Sequence, residues 1–135
     1  MAQKASKSQI NGGNITWATP TLSAGWGSFD TGAIPTTDSA DTWRYPRYHK
    51  DALGYVHLMG LARNNSGGTN NGSTNTTIFT LPAGFRPAHT ILMSTFGNDT
   101  ACRVDVGVDG RVKVVSTIPN TSWVSLTPIS FLAEQ

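Results

Sequence analysis

A chain of 135 residues holds one ordinary domain and is too short for two. Only 13% of its residues are charged, about half the usual soluble share, whereas Thr, Ser and Asn fill 39 of the 135 positions. That excludes a coiled coil, which needs abundant Ala, Glu, Lys and Leu at heptad spacing, and 12 aromatics exclude full disorder by supplying a core. The net charge of +2 comes from ten basic residues scattered along the chain. With no basic stripe and no helix-turn-helix pattern to focus it, it argues against nucleic acid as a partner. No apolar run approaches the roughly 20 residues of a membrane helix, so membrane insertion is not expected.

In chain order, residues 1–14 are polar, contain Gly12-Gly13 and show no period. They read as an N-terminal tail ahead of a domain filling residues 15–135. Lys4 and Lys7 have no apolar stretch behind them, which is not the pattern of a signal peptide. From Ile15 onward, short apolar pieces alternate with Gly, Pro, Asn, Asp and Ser at the spacing of an all-β domain. Expected strands are Ile15–Trp17, Gly25–Phe29, Arg44–His49, Tyr55–Leu61, Thr77–Leu81, His89–Phe96, Ala101–Gly107, Arg111–Val115, Trp123–Leu126 and Ile129–Leu132. No eleven-residue window sustains a helical apolar face. The expected fold is therefore an antiparallel β-sandwich or jelly roll in a single domain.

The register around Asp109-Gly110 follows from the apolar pattern. A two-residue turn would set Val106 opposite Lys113, mixing charge into the apolar face. A three-residue loop, Val108-Asp109-Gly110, instead pairs Val106 with Val112, Val104 with Val114, and Asp105 with Lys113 on the other face. Gly110 then supplies the left-handed residue of a type I turn with a G1 bulge. The segment Arg63 to Thr76 is Asn-, Gly-, Ser- and Thr-rich and is expected to be a solvated loop.

Candidate chemistry is sparse. His49, Asp51 and His57 flank one hairpin, but there is no Gly-x-Ser-x-Gly elbow, no His-Glu-x-x-His helix and no phosphate-cradling Gly loop. No catalytic residue, cofactor or metal is assigned. The single Cys102 offers neither an intrachain disulfide nor, alone, a zinc site, which fits assembly in a reducing cytoplasm. Sugars are gripped by aromatic faces beside hydrogen-bonding groups, and Trp43, Arg44, Tyr45, Arg47 and Tyr48 form an aromatic and basic cluster. These five are the candidate glycan- or partner-binding residues, set against their ordinary role of filling core and strand edges. Arg86, fixed in an extended conformation by Pro87, is expected to cap a carbonyl or form an ion pair within the domain.

An ordered set of segments resembles a small β domain of bacteriophage tail proteins, of the kind found in tail-fibre and receptor-binding heads. These are Trp17 to Trp26, Tyr48 to Gly60, Ile78 to Pro87, Val108 to Val112, and Trp123 through Phe131. The resemblance covers nearly the whole chain. It implies a homotrimeric head in a virion, assembled in the host cytoplasm and partnered by other virion proteins, in the tail or the capsid, and by a host cell-wall glycan; the tail, residues 1–14 with Lys4 and Lys7, is then the expected virion-attachment segment. Only about sixteen residues precede the matching stretch, with no fibre shaft. The chain is accordingly expected to be a tail-associated fibre or tip subunit, with a capsid decoration protein as the first alternative and a free carbohydrate-binding module as the second.

Overall fold

The computed structural model describes residues 16–29, 42–67 and 76–134. The expected tail, with Lys4 and Lys7, lies outside the described residues, as does Ile15 of the first expected strand. Among those described, regular structure is all strand apart from one 3-10 turn, Thr42–Arg44. The strands are β1 (Trp26–Ser28), β2 (Arg47–Lys50), β3 (Tyr55–Met59), β4 (Leu61–Asn64), β5 (Thr77–Thr80), β6 (Ile91–Gly97), β7 (Thr100–Val106), β8 (Arg111–Val114), β9 (Trp123–Ser125) and β10 (Ser130–Leu132).

Every pairing is antiparallel. Seven strands form one sheet in the order β1-β4-β9-β6-β7-β8-β5, and three form a second in the order β10-β3-β2. The large sheet curls back on itself. Leu22, leading into β1 at one edge, bridges Phe79 in β5 at the other, so the sheet is nearly a closed barrel. Of the expected sandwich or jelly roll, the all-β antiparallel character is what the strands display. The layers are unequal, a seven-stranded sheet with a small three-stranded one.

Alternation of side chains across the pleat builds the core. Val104, Val106, Val112 and Val114 are fully buried, as are Val56 on β3 and Val124 on β9. The β7–β8 register is the one the apolar pattern requires, Val104 with Val114, Asp105 with Lys113 and Val106 with Val112. Gly107 N–H donates to the Arg111 carbonyl at 3.0 Å, Gly110 N–H returns to Gly107 at 2.9 Å, and Gly110 has φ of 84°. The Asp105 carboxylate, however, is held by Arg103 on its own strand, Nε to Oδ1 at 2.7 Å and Nη2 to Oδ2 at 2.8 Å. A planar fork two residues away outcompetes the flexible ammonium across the ladder. On β5 the register shifts between Thr77 and Phe79, which lets two consecutive residues, Ile78 and Phe79, both enter the core.

Of the expected strand Ile15–Trp17, the described Thr16 and Trp17 join no strand, Ala18 after them making only an isolated bridge to Tyr48, and the expected strand from Arg44 begins only at Arg47 because Arg44 ends the 3-10 turn. Two further expected elements change. Tyr55–Leu61 is divided at Gly60 into β3, in the small sheet, and β4, in the large one. Gly60 has φ of 99°, and a Cβ there would run into the Tyr45 carbonyl, so only glycine carries the chain between sheets at this point. The second change is a correction. The expected solvated loop from Arg63 does not start there, because Arg63 and Asn64 belong to β4 and Asn64 is fully buried. Asn64 Nδ2 donates to the Ile118 carbonyl at 2.8 Å, while its Oδ1 accepts from Ser66 N–H and Oγ. Its backbone pairs with Ser122 and Thr121. A buried amide is stable only when satisfied in this way, and Asn64 thereby organises the 118–122 loop. Residues 68–75 of that segment lie outside the described residues.

Candidate functional site

The run Trp43–Tyr48 enters the small sheet through the 3-10 turn and β2, and pleating divides it. Trp43 is 44% exposed. Its ring lies 5.8 Å from that of Phe29, 36% exposed, at a 38° tilt, and the Arg44 guanidinium sits 5.1 Å from the Trp43 centroid. The pair is fixed by main chain, since Phe29 N–H donates to the Arg44 carbonyl at 3.1 Å. Trp43, Phe29 and Arg44 thus form an outward platform of two ring surfaces with a guanidinium beside them.

Tyr45, Arg47 and Tyr48 turn the other way or are covered. Tyr45 and Arg47 are buried. Arg47 Nη2 donates to Met59 Sδ at 2.9 Å, and its guanidinium lies 4.5 Å from the Trp17 ring. Tyr48 packs between Phe79 and Phe85, with centroids at 6.4 and 5.3 Å, and burial pushes its phenol pKa up. Of the five residues grouped by sequence, the structure brings Trp43 and Arg44 together at the surface and sends the other three toward packing roles. Phe29 completes the platform from fourteen positions upstream, a distance no local motif signals.

Several of the other titratable groups have structural roles. Arg86 Nε donates to the Leu81 carbonyl at 2.9 Å, the expected cap. Asp51 closes the β2–β3 turn by accepting from the N–H groups of Leu53 and Tyr55 through Oδ1, and its Oδ2 lies 2.8 Å from His57 Nε2. Cys102 is buried in apolar surroundings that push its thiol up to about 11, so thiolate chemistry is suppressed at neutral pH. Among the described residues, no group of three or more His, Cys, Asp or Glu side chains is placed to hold a metal ion.

A second surface lies on the outward side of β6 and β7. Leu92 and Phe96 are 57% and 60% exposed, and a groove of about 390 Å³ runs past Leu92, Ser94, Ala101, Arg103 and Ser116. The sequence hides this because both alternating sets of β6 are largely apolar: Ile91 and Met93 face in, Leu92 and Phe96 face out.

No family model matches this sequence, and none of the curated proteins compared with it does. Among solved structures, the crystal structure of the receptor-binding protein gp15 of Listeria phage PSA is similar. The TM-score is 0.67 at 15% identity, covering 90% of this chain and 67% of that one. At that identity the likeness is one of fold, and it agrees with the resemblance to phage receptor-binding heads read from the sequence.

Proposed function

We propose that this chain is a bacteriophage virion component that attaches the particle to its host, as a tail-associated fibre or tip subunit. The observation that carries the reading is a fold shared over 90% of the chain with a phage receptor-binding protein. The host ligand is a cell-wall glycan, gripped on the Trp43–Phe29 platform beside the Arg44 guanidinium. Sugar C–H faces stack on such rings while hydroxyls take the polar groups around them. The attachment segment is the tail, residues 1–14 with Lys4 and Lys7, docking on other virion proteins. No catalytic step is assigned to the chain.

The test is pull-down of fluorescently labelled protein on cell walls from Listeria strains and from other Gram-positive bacteria. The wild type should bind at least one preparation, and Trp43→Ala should cut retention about tenfold, the usual effect of losing one aromatic anchor. Binding that survives Trp43→Ala moves the glycan site elsewhere. Binding to purified capsid shells with none to any cell wall would replace the host-attachment reading with capsid decoration.

Within the same proposal the chain is a homotrimer, and the outward side of β6–β7 is its contact between copies. Large exposed apolar side chains clustered on one face mark association surfaces, and low charge leaves little repulsion between like copies. Sedimentation should give a trimer, and the pair Leu92→Asp with Phe96→Asp should give monomers. A wild-type monomer at micromolar concentration would overturn it.

A further inference from the structure

β2 and β3 place two imidazoles on one rung. His49 and His57 are register partners, and their rings stack with centroids 4.8 Å apart and planes 24° from parallel. Residues directly opposite on one face of an antiparallel pair interact closely, and like charges there are destabilising. The Asp51 carboxylate is bound to one of the two: its Oδ2 lies against His57 Nε2, and its Oδ1 is occupied by main-chain N–H groups. The Trp17 ring meets His49 edge-on at 4.3 Å, and the Arg47 guanidinium stands over the far side of that assembly, 4.5 Å from the Trp17 centroid.

Among the described residues, the charged and titratable groups facing His49 are His57 from β3, Asp51 from the turn and Arg47 from its own strand, with Trp17 adding no charge. From β10, the residue paired with His57 is the neutral Ser130. Burial, and next the neighbouring His57, hold the His49 pKa below its ordinary value; Asp51 pulls the other way and Arg47 adds a smaller depression.

We infer that the stacked pair is an acid-sensitive latch on the small sheet. With His57 held by Asp51 and His49 neutral, the rung is closed. A proton on His49 sets a cation against the stacked His57 ring, with the Asp51 carboxylate already engaged by His57 and the turn N–H groups, and loosens β2 from β3, while the large sheet, which carries no such pair on β7 and β8, stays paired. The direction follows from linkage. Because the folded chain resists protonation at His49, the unfolded chain takes the proton first as pH falls below the ordinary histidine range. Stability is full above that range and declines below it. Loosening β2 also frees the segment before β1, whose Ala18 exchanges both hydrogen bonds with Tyr48, at 2.7 and 3.0 Å. The latch would make the Trp17 segment and the small sheet the part of the molecule that acid rearranges.

The experiment is amide hydrogen exchange by NMR at about pH 7.5 and about pH 5.5, corrected for the intrinsic rate. Ala18 and Tyr48 should lose protection several-fold in acid relative to Val114, and His49→Gln should abolish that difference. In His57→Gln, the His49 titration midpoint read from its ring protons should move up, because the stacked neighbour that holds it down is gone. Equal protection of the two sheets in acid overturns the inference. So does an acid response that persists in His49→Gln, or a midpoint that stays where it was in His57→Gln.

Discussion

The β7–β8 and β2–β3 hairpins solve the same pairing problem with different side chains. In β7–β8, valines fill one face completely and each acidic group outside is neutralised by an arginine two residues away: Asp105 by Arg103, Asp109 by Arg111. Its turn is fixed by Gly110, on whose Cα hydrogen side the Leu81 carbonyl and the Arg86 side chain both press. In β2–β3, Val56 and Leu58 enter the core, but the other face holds His49, His57, Arg47 and Met59, and its single acid reaches over from the turn. The first hairpin is insensitive to its surroundings because its charges are locally cancelled. The second stacks His49 on His57 across one rung, and it follows directly on the 3-10 turn that carries the exposed ring platform. The inferred latch thus falls on the small sheet and the valine ladder on the large one.

Two substitution pairs sharpen this contrast, the larger effect first. Gly110→Ala forces a Cβ into the left-handed region and against the Leu81 carbonyl and Arg86. Left-handed strain and steric crowding together should cost about 2–4 kcal/mol. Gly54→Ala, at φ of 88° in the β2–β3 turn, should cost less, about 1–2 kcal/mol from backbone strain. Urea unfolding monitored by fluorescence checks the order, and equal losses would mean that the β7–β8 turn is no tighter than the other.

The smaller effect is electrostatic. The His57 hydrogen bond, aided by the Tyr55 and Leu53 N–H groups, holds the Asp51 carboxyl below its ordinary range; the Arg111 N–H and guanidinium do the same for Asp109. A depressed carboxyl stabilises the fold above its unfolded pKa and loses that contribution as pH falls through the folded value. Between about pH 7.5 and 5.5 both carboxyls stay charged, but Asp51 also raises the His49 pKa; Asp51→Asn keeps an oxygen for the turn and removes that support, so its melting temperature should fall further behind wild type as pH drops over this interval. Asp109→Asn, beside a permanently charged arginine, should show a small deficit that does not change over the same interval. Scanning calorimetry at several pH values separates the two.

Legibility in the sequence tracked locality. The β7–β8 register could be read from six alternating residues and one Asp-Gly, because a one-residue slip would have buried Lys113. Pro87 and the Leu81 strand end were enough to anticipate that Arg86 works inside the domain. The division at Gly60 was less visible, since a glycine in an apolar run reads equally as continuation, and only the approach of Tyr45 makes it a joint. Asn64 looked like loop because its neighbours are loop residues; its partner, Ile118, is 54 positions away.

For the candidate site, composition located the aromatic cluster but not its orientation. Trp43 and Tyr45 are two apart yet end in different environments, one at the surface and one buried, because the chain between them leaves a 3-10 turn and is not a strand with period two. Phe29 has no local signal at all.

What the amino-acid order determines unaided is the period-two burial of the valine strands, the turn chemistry at Gly110 and Asp51, and the absence of any helical face. All of these are written in neighbouring residues. Which sheet each strand joins, how Leu22 meets Phe79 to close the curl, and the meeting of Phe29 with Trp43 and of His49 with His57 were decided by tertiary structure. Those contacts depend on long-range strand pairing and on the direction a backbone takes after a bend. Both are properties of the assembled chain and not of any segment within it.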